Sequence, residues 1–270
     1  MMQGSSGESL ARLTAELGTA MEGGAQGTAV GDSLFAAADV LRAQAALRRA
    51  VTDPSTPSEA KSALADGVFA SHLDAAALNL VVSASKLRWA RSGDLAQALE
   101  QLGVVALVKA SESEGAGDRL EDELFQFGRA VADNPELRDA LSDPSRSVKD
   151  KQALVRSLLE GRVTDGSLRL AERSVTGVHL TVTRALTEYA ATAAQARNRL
   201  VAVVRAARPL GGDAQTRLGE VLAAQYDRPV HLNVIVDQSL IGGVRVEIGD
   251  QVIDGTISGR LDDASRRLAG

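Results

Sequence analysis

A repeat at an offset of 90 residues constrains this chain more than any other feature. Leu47-Arg48-Arg49-Ala50-Val51-Thr52-Asp53-Pro54-Ser55 lines up with Leu137-Arg138-Asp139-Ala140-Leu141-Ser142-Asp143-Pro144-Ser145. The same offset pairs Leu34-Phe35 with Leu124-Phe125, Lys61 with Lys151 and Ala63-Leu64 with Ala153-Leu154. Low complexity in an alanine-rich chain could mimic one such segment, but not two Asp-Pro-Ser breaks held in one register. The chain carries a duplicated helical unit.

Both copies carry the punctuation of short helices. In the second, Leu124, Phe127 and Val131 recur at i, i+3 and i+7 and define one apolar face. Asn134-Pro135 then stops that helix and starts another, since Pro suits a first helical position. In the first copy, Thr56-Pro57-Ser58-Glu59 reads as a capping box with Thr56 as the cap and Glu59 reaching back. Each copy ends in a long helix, striped by Leu95, Leu99 and Leu102 in one and by Val182, Ala185, Tyr189, Ala193, Ala196 and Leu200 in the other. Two packed helical bundles follow. The polar stretch Ser111 to Asp118, with Gly115 and Gly117, is the expected linker between them.

Composition excludes several classes of function. Apolar residues make up 44% and aromatics only 3%, so the cores are built from small aliphatic side chains. A net charge of −5, with no lysine-rich run, argues against a nucleic-acid surface. Without cysteine there is neither disulfide nor thiol chemistry. The N-terminus lacks the basic start and apolar stretch of a signal peptide. The apolar runs, such as Gly103 to Val108, fall far short of the roughly 20 residues a membrane span needs. Direct insertion into a membrane is therefore not expected.

The last 70 or so residues differ in kind. Leu200 to Ala206 is an aliphatic run suited to a buried strand, broken by Pro209 and Gly211-Gly212. A helix with Leu218, Val221 and Leu222 inward follows, then an alternating strand through Val230, Leu232, Val234 and Val236. Val244, Val246 and Ile248 alternate with Arg245 and Glu247, and Gly249-Asp250 suits a two-residue hairpin turn. Asp254-Gly255 marks a further bend, and a final helix places Leu261, Ala264 and Leu268 on one stripe. The expected order is β-α-β-β-β-α, and the chain as a whole is α+β and mostly helical.

Val236 to Leu261 also carries a resemblance. Val236-Asp237, Ser239-Leu240-Ile241-Gly242-Gly243, Gly249-Asp250, Val252-Ile253-Asp254-Gly255 and Arg260-Leu261 resemble the C-terminal signature of the delta subunit of F-type ATP synthases. That family includes the mitochondrial oligomycin-sensitivity-conferring protein. Thr256 stands where serine is frequent, and the duplicated helical unit departs from the family's single N-terminal bundle. The resemblance implies a peripheral-stalk subunit of the bacterial type, on the cytoplasmic face of the plasma membrane, with no cofactor. Its implied partners are the N-terminal helices of alpha subunits, clasped by a helical domain, and b-type stalk subunits, held by the C-terminal domain. On this reading residues 1–111 are the extra helical unit, 112–199 the family's usual bundle and 200–270 the stalk-binding domain. Asp237, Gly242, Gly243, Gly249, Asp250, Asp254, Gly255 and Arg260 are its signature residues.

A search for catalytic chemistry finds none. The chain has no Gly-x-x-x-x-Gly-Lys phosphate loop and no Gly-x-Ser-x-Gly elbow, and Gly115-Ala116-Gly117 lacks the third glycine of a dinucleotide site. No two of His72, His179 and His231 stand at His-x-x-x-His spacing. Asp237, Asp250 and Asp254 could be read as metal ligands of an enzyme, but aspartates beside turn glycines also serve local backbone N–H groups. Trp89, between Arg88 and Arg91, reads equally as an interface anchor and as core. The readings left open are a stator subunit, a metal-dependent enzyme using those aspartates and an unrelated helical scaffold.

Overall fold

A computed structural model describes residues 2–197, 200–240, 242–248 and 251–254. Contacts divide the chain into two compact units, residues 1–193 and 194–270. The first is helical throughout: α1 Gly4–Glu22, α2 Gly27–Ala43, α3 Ala45–Thr52, α4 Ser58–Phe69, α5 Ala75–Lys86, α6 Ser92–Ser113, α7 Gly117–Asp133, α8 Pro135–Ser142, α9 Val148–Leu159, α10 Asp165–Ser174 and α11 Val182–Ala196.

The repeat is realised helix for helix. The bounds of α2, α3 and α4, moved by 90 residues, are those of α7, α8 and α9. α5 and α10 start at matching positions, as do α6 and α11. α1 moved by the same amount falls at 94–112, inside α6. One helix thus closes the first copy and opens the second. Hydrogen bonds repeat as well. Asp53 Oδ1 accepts from Ser55 N and Oγ at 2.8 and 2.7 Å, and Asp143 from Ser145 at the same distances. Arg48 Nη1 donates to the Arg42 carbonyl at 3.0 Å, and Arg138 Nη1 to that of Ala132 at 3.2 Å.

Burial explains why α6 can serve both copies. α1 buries a single stripe, Ser6, Ser9, Leu13 and Leu17, whereas α6 is buried on nearly every side from Leu95 to Ser111. A helix apolar all round belongs inside a protein rather than on it. Glycine lets its neighbours close in. A Cβ on Gly27 would lie 2.6 Å from the Ala106 carbonyl oxygen, and one on Gly103 would lie 2.5 Å from Phe35 Cε1. The stripes expected from spacing are buried: Leu124, Phe127 and Val131, then Leu95, Leu99 and Leu102. In α11 the stripe runs from Val182 to Tyr189 and Ala193, while Leu200 belongs to a strand.

Two local expectations need correction. The capping box at Thr56 does not form: α4 starts one residue later than that box requires, Pro57 is its N-cap, and no side chain caps it. Ser58 Oγ instead donates to Glu59 Oε1 at 2.9 Å. The corresponding α9 does have a side-chain cap, with Ser147 Oγ accepting from Asp150 N at 3.1 Å. The linker is shorter than Ser111 to Asp118, because only Glu114 to Ala116 lie between α6 and α7, with Gly115 at φ +70. Ser111 is buried within α6.

The second unit holds β1 Leu200–Ala206, α12 Gly212–Tyr226, β2 Val230–Val236, β3 Val244–Ile248 and β4 Gln251–Asp254. The sheet order is β2-β1-β3-β4, with β1 parallel to β2 and the other pairs antiparallel. Period-two alternation puts Ala202, Val204, Val246 and Ile248 on one face, where Leu222 of α12 completes the core. Val221, expected inward, is 59% exposed. Leu218, Leu222 and Tyr226 share one face at steps of four, and Val221 stands about 100° round the helix from Leu222. The order β-α-β-β-β is as expected; the expected final helix lies outside the described residues.

Candidate functional site

The signature residues are turn and strand parts rather than a reactive cluster. Asp237 follows β2, and its Oδ1 accepts from Ser239 N at 3.0 Å and Ser239 Oγ at 2.6 Å. Those bonds hold its carboxyl below the usual range. Its own N–H donates to the Ala206 carbonyl at 2.8 Å, fastening the end of β2 to the end of β1. Gly242 and Gly243 precede β3, with Gly243 at φ +85, a conformation that glycine adopts without strain. Asp254 is exposed in β4 and paired in register with Arg245. Ile248 opposite Gln251 is the register a two-residue hairpin turn requires. Gly249, Asp250, Gly255 and Arg260 lie outside the described residues, so only Asp237, Gly242, Gly243 and Asp254 can be placed. Among the described residues no group of three or more His, Asp or Glu side chains could hold a metal ion.

The histidines occupy separate elements. His72 is exposed in the turn before α5, and His231 is half-buried in β2. His179 Nδ1 lies 3.2 Å from Glu188, and its ring meets Tyr189 edge-on at 5.4 Å. Trp89 is half-buried, and its Nε1 donates to the Ala84 carbonyl at 2.9 Å.

Sequence reasoning missed the densest electrostatic feature. Glu100, on α6 and 3% exposed, accepts from four donor atoms. Arg173 of α10 donates from Nε at 2.9 Å and from Nη2 at 2.6 Å, Arg42 Nη1 at 3.0 Å and the Tyr189 hydroxyl at 2.7 Å. Arg173 also grips Asp39 of α2 through Nη1 at 2.6 Å and Nη2 at 2.7 Å. Its guanidinium lies 4.7 Å from the centroid of the Phe35 ring. Burial pushes the Glu100 carboxyl up, but hydrogen bonds and charge from Arg173, then Arg42 and Tyr189, bring it below the ordinary value. Burial, reinforced by Glu100, pushes the Tyr189 hydroxyl up. A readable signal was present: at helical spacing Glu100 has Ala96, Gly103 and Val104 as neighbours, and a charge set among apolar groups must find partners.

Chemically this cluster is closed. The Glu100 carboxylate has its lone pairs occupied by cationic and phenolic donors, so it is not poised to take a substrate proton. A cleft of about 360 Å³ between α6 and α11 reaches Glu100 and Tyr189, but is lined by no nucleophile with an adjacent base. Among the described residues no helix is long and apolar enough to cross a membrane.

Comparison with known proteins agrees with a structural role. The pattern of the ATP synthase delta (OSCP) subunit family matches residues 104–268, which begins within the shared helix α6. The ATP synthase subunit delta of a Nocardioides strain is 51% identical over 242 residues, covering 90% of this chain and 88% of its own. That of Beutenbergia cavernae is 42% identical over 92% of both chains, and that of Streptomyces coelicolor 40% identical over 99% of this chain and 98% of its own. With a helical repeat, a small mixed sheet bearing the signature turns and a closed charge cluster, the chain belongs to the ATP synthase delta (OSCP) subunit family and is a non-catalytic component of the stator.

Proposed function

We propose that this subunit ties the alpha subunits of the catalytic head to the b-type stalk subunits and holds the head against the torque of the rotor. The observation that carries this is the division into two compact units with separate cores, one all-helical and one built on a sheet, which gives the chain two independent gripping surfaces. The helical unit takes an alpha-subunit N-terminal helix, as aliphatic bundles do in helix-in-groove binding. The unit of residues 200–270 holds the b-type subunits. The complex then keeps the subunit at the cytoplasmic face of the plasma membrane.

Of the two helical copies, residues 112–199 take the part of the family's usual bundle, and residues 1–111 add a second attachment surface. α6 spans 92–113, so removing residues 1–111 also removes most of the helix that opens the second copy. A deletion of residues 1–91 leaves it in place. A tagged full chain is expected to retain alpha and b-type subunits from detergent-solubilised membranes, and a chain lacking residues 194–270 to lose the b-type subunits. Retention of b-type subunits by that truncated chain would overturn the assignment. Unchanged stalk affinity after deletion of residues 1–91 would remove the second surface from the proposal.

A further inference from the structure

The buried charge cluster stands at the junction of the two helical copies, and it is not itself repeated. At the 90-residue offset, Arg173 corresponds to Ser83, Glu100 to Ala190, Asp39 to Arg129 and Arg42 to Ala132. The bounds of α2 to α4 and the Asp-Pro-Ser turns, by contrast, recur in both copies. The residues that break the pattern are those that reach from one copy to the other. A groove of about 260 Å³ between α2 and α10 is crossed by Arg173 to Asp39 and, one turn away, by Arg169 to Asp32. Glu100 adds α6 to the same connection.

We propose that Arg173, with Glu100 and Asp39, is a lock that makes the two helical copies open and close as one body. The exposed rung from Arg169 to Asp32 contributes little, because solvent screens it. Arg173 and Glu100 are 7% and 4% exposed in their side chains, and separating them leaves a buried charge without its counterpart. Opening the second copy away from α2 therefore carries that penalty, and the shared helix α6 transmits it to both sides. The inference concerns the isolated chain and does not depend on what the chain binds.

Native-state hydrogen exchange on the full chain tests it. In the wild type, the slowest amides of α2 and α7 are expected to open with the same frequency. In Arg173→Met, the amides of α7 to α10 are expected to open about tenfold more often than those of α2, because the second copy now opens alone. A uniform rise in both copies would make Arg173 a general stabiliser and overturn the lock. So would a wild type whose copies already open separately. Should Arg173→Met fail to fold, Asp39→Asn, at a half-exposed position, is expected to show the same ordering at about threefold, and equal loss in both copies would again overturn it.

Discussion

Gly103 and Phe35 form one of the tightest side-chain fits in the helical unit. A methyl on Gly103 would lie 2.5 Å from the Phe35 ring, which is 6% exposed and has the Arg173 guanidinium 4.7 Å from its centroid. Gly103→Ala should therefore cost about 1–3 kcal/mol, the range for overpacking a core that cannot give way. Gly67, within α4 and with nothing within 4 Å of its added methyl, is the control. Gly67→Ala should gain about 0.5–1 kcal/mol from backbone entropy, as thermal melts of the two variants would show. A second residue-scale prediction concerns acid. The folded chain holds the Glu100 carboxyl below its ordinary value of 4.5, so its stabilising contribution is present above that value. That contribution is lost as pH falls through the lower folded value. Denaturant titrations should show Glu100→Gln less stable than wild type at neutral pH, with a shallower loss of stability below about pH 4.5. The sequence reading passed over Glu100, although Ala96, Gly103 and Val104 lie beside it at helical spacing, and could not name Arg173, because a contact 73 residues away depends on how helices stack.

At the scale of elements, most of the helical unit was legible. The repeat, the buried stripes and the Asn134-Pro135 start of α8 follow from local periodicity and turn chemistry; Asn134 Oδ1 accepts from Leu137 N at 3.1 Å. The failures are failures of phase. Thr56 was expected to cap a helix that starts one residue further on, and Val221 to face a core that Leu222 already occupies. Sequence patterns locate an apolar face to within a residue or so, whereas capping and burial are decided by the single residue. The repeat turns the first error into an experiment. Ser147 caps α9, and Pro57 holds the matching place in α4 without a side-chain bond. Ser147→Ala should destabilise by about 1 kcal/mol, and Pro57→Ser should stabilise by roughly 0.5–1 kcal/mol, measured by chemical denaturation. A neutral Pro57→Ser would mean that proline's restriction of the unfolded chain is worth as much as the missing cap.

For the whole molecule, the succession of strands and helix along the chain and the family were legible in the last third of the sequence, because turn glycines and alternating aliphatics are local signals; the order of strands within the sheet was not. That one helix belongs to both copies was not. The offset of 90 aligns α1 with α6 only once both are known to be helices of similar length, and their residues differ because one faces solvent and the other does not. The shared helix has a practical consequence for a protease acting on the native protein. The exposed residues Glu114 and Gly115, between α6 and α7, are the natural place for a nick. Cutting there leaves α6 on the N-terminal fragment while it still fills the core of the other. The severed pieces should elute from gel filtration together at the intact size, and come apart only in denaturant.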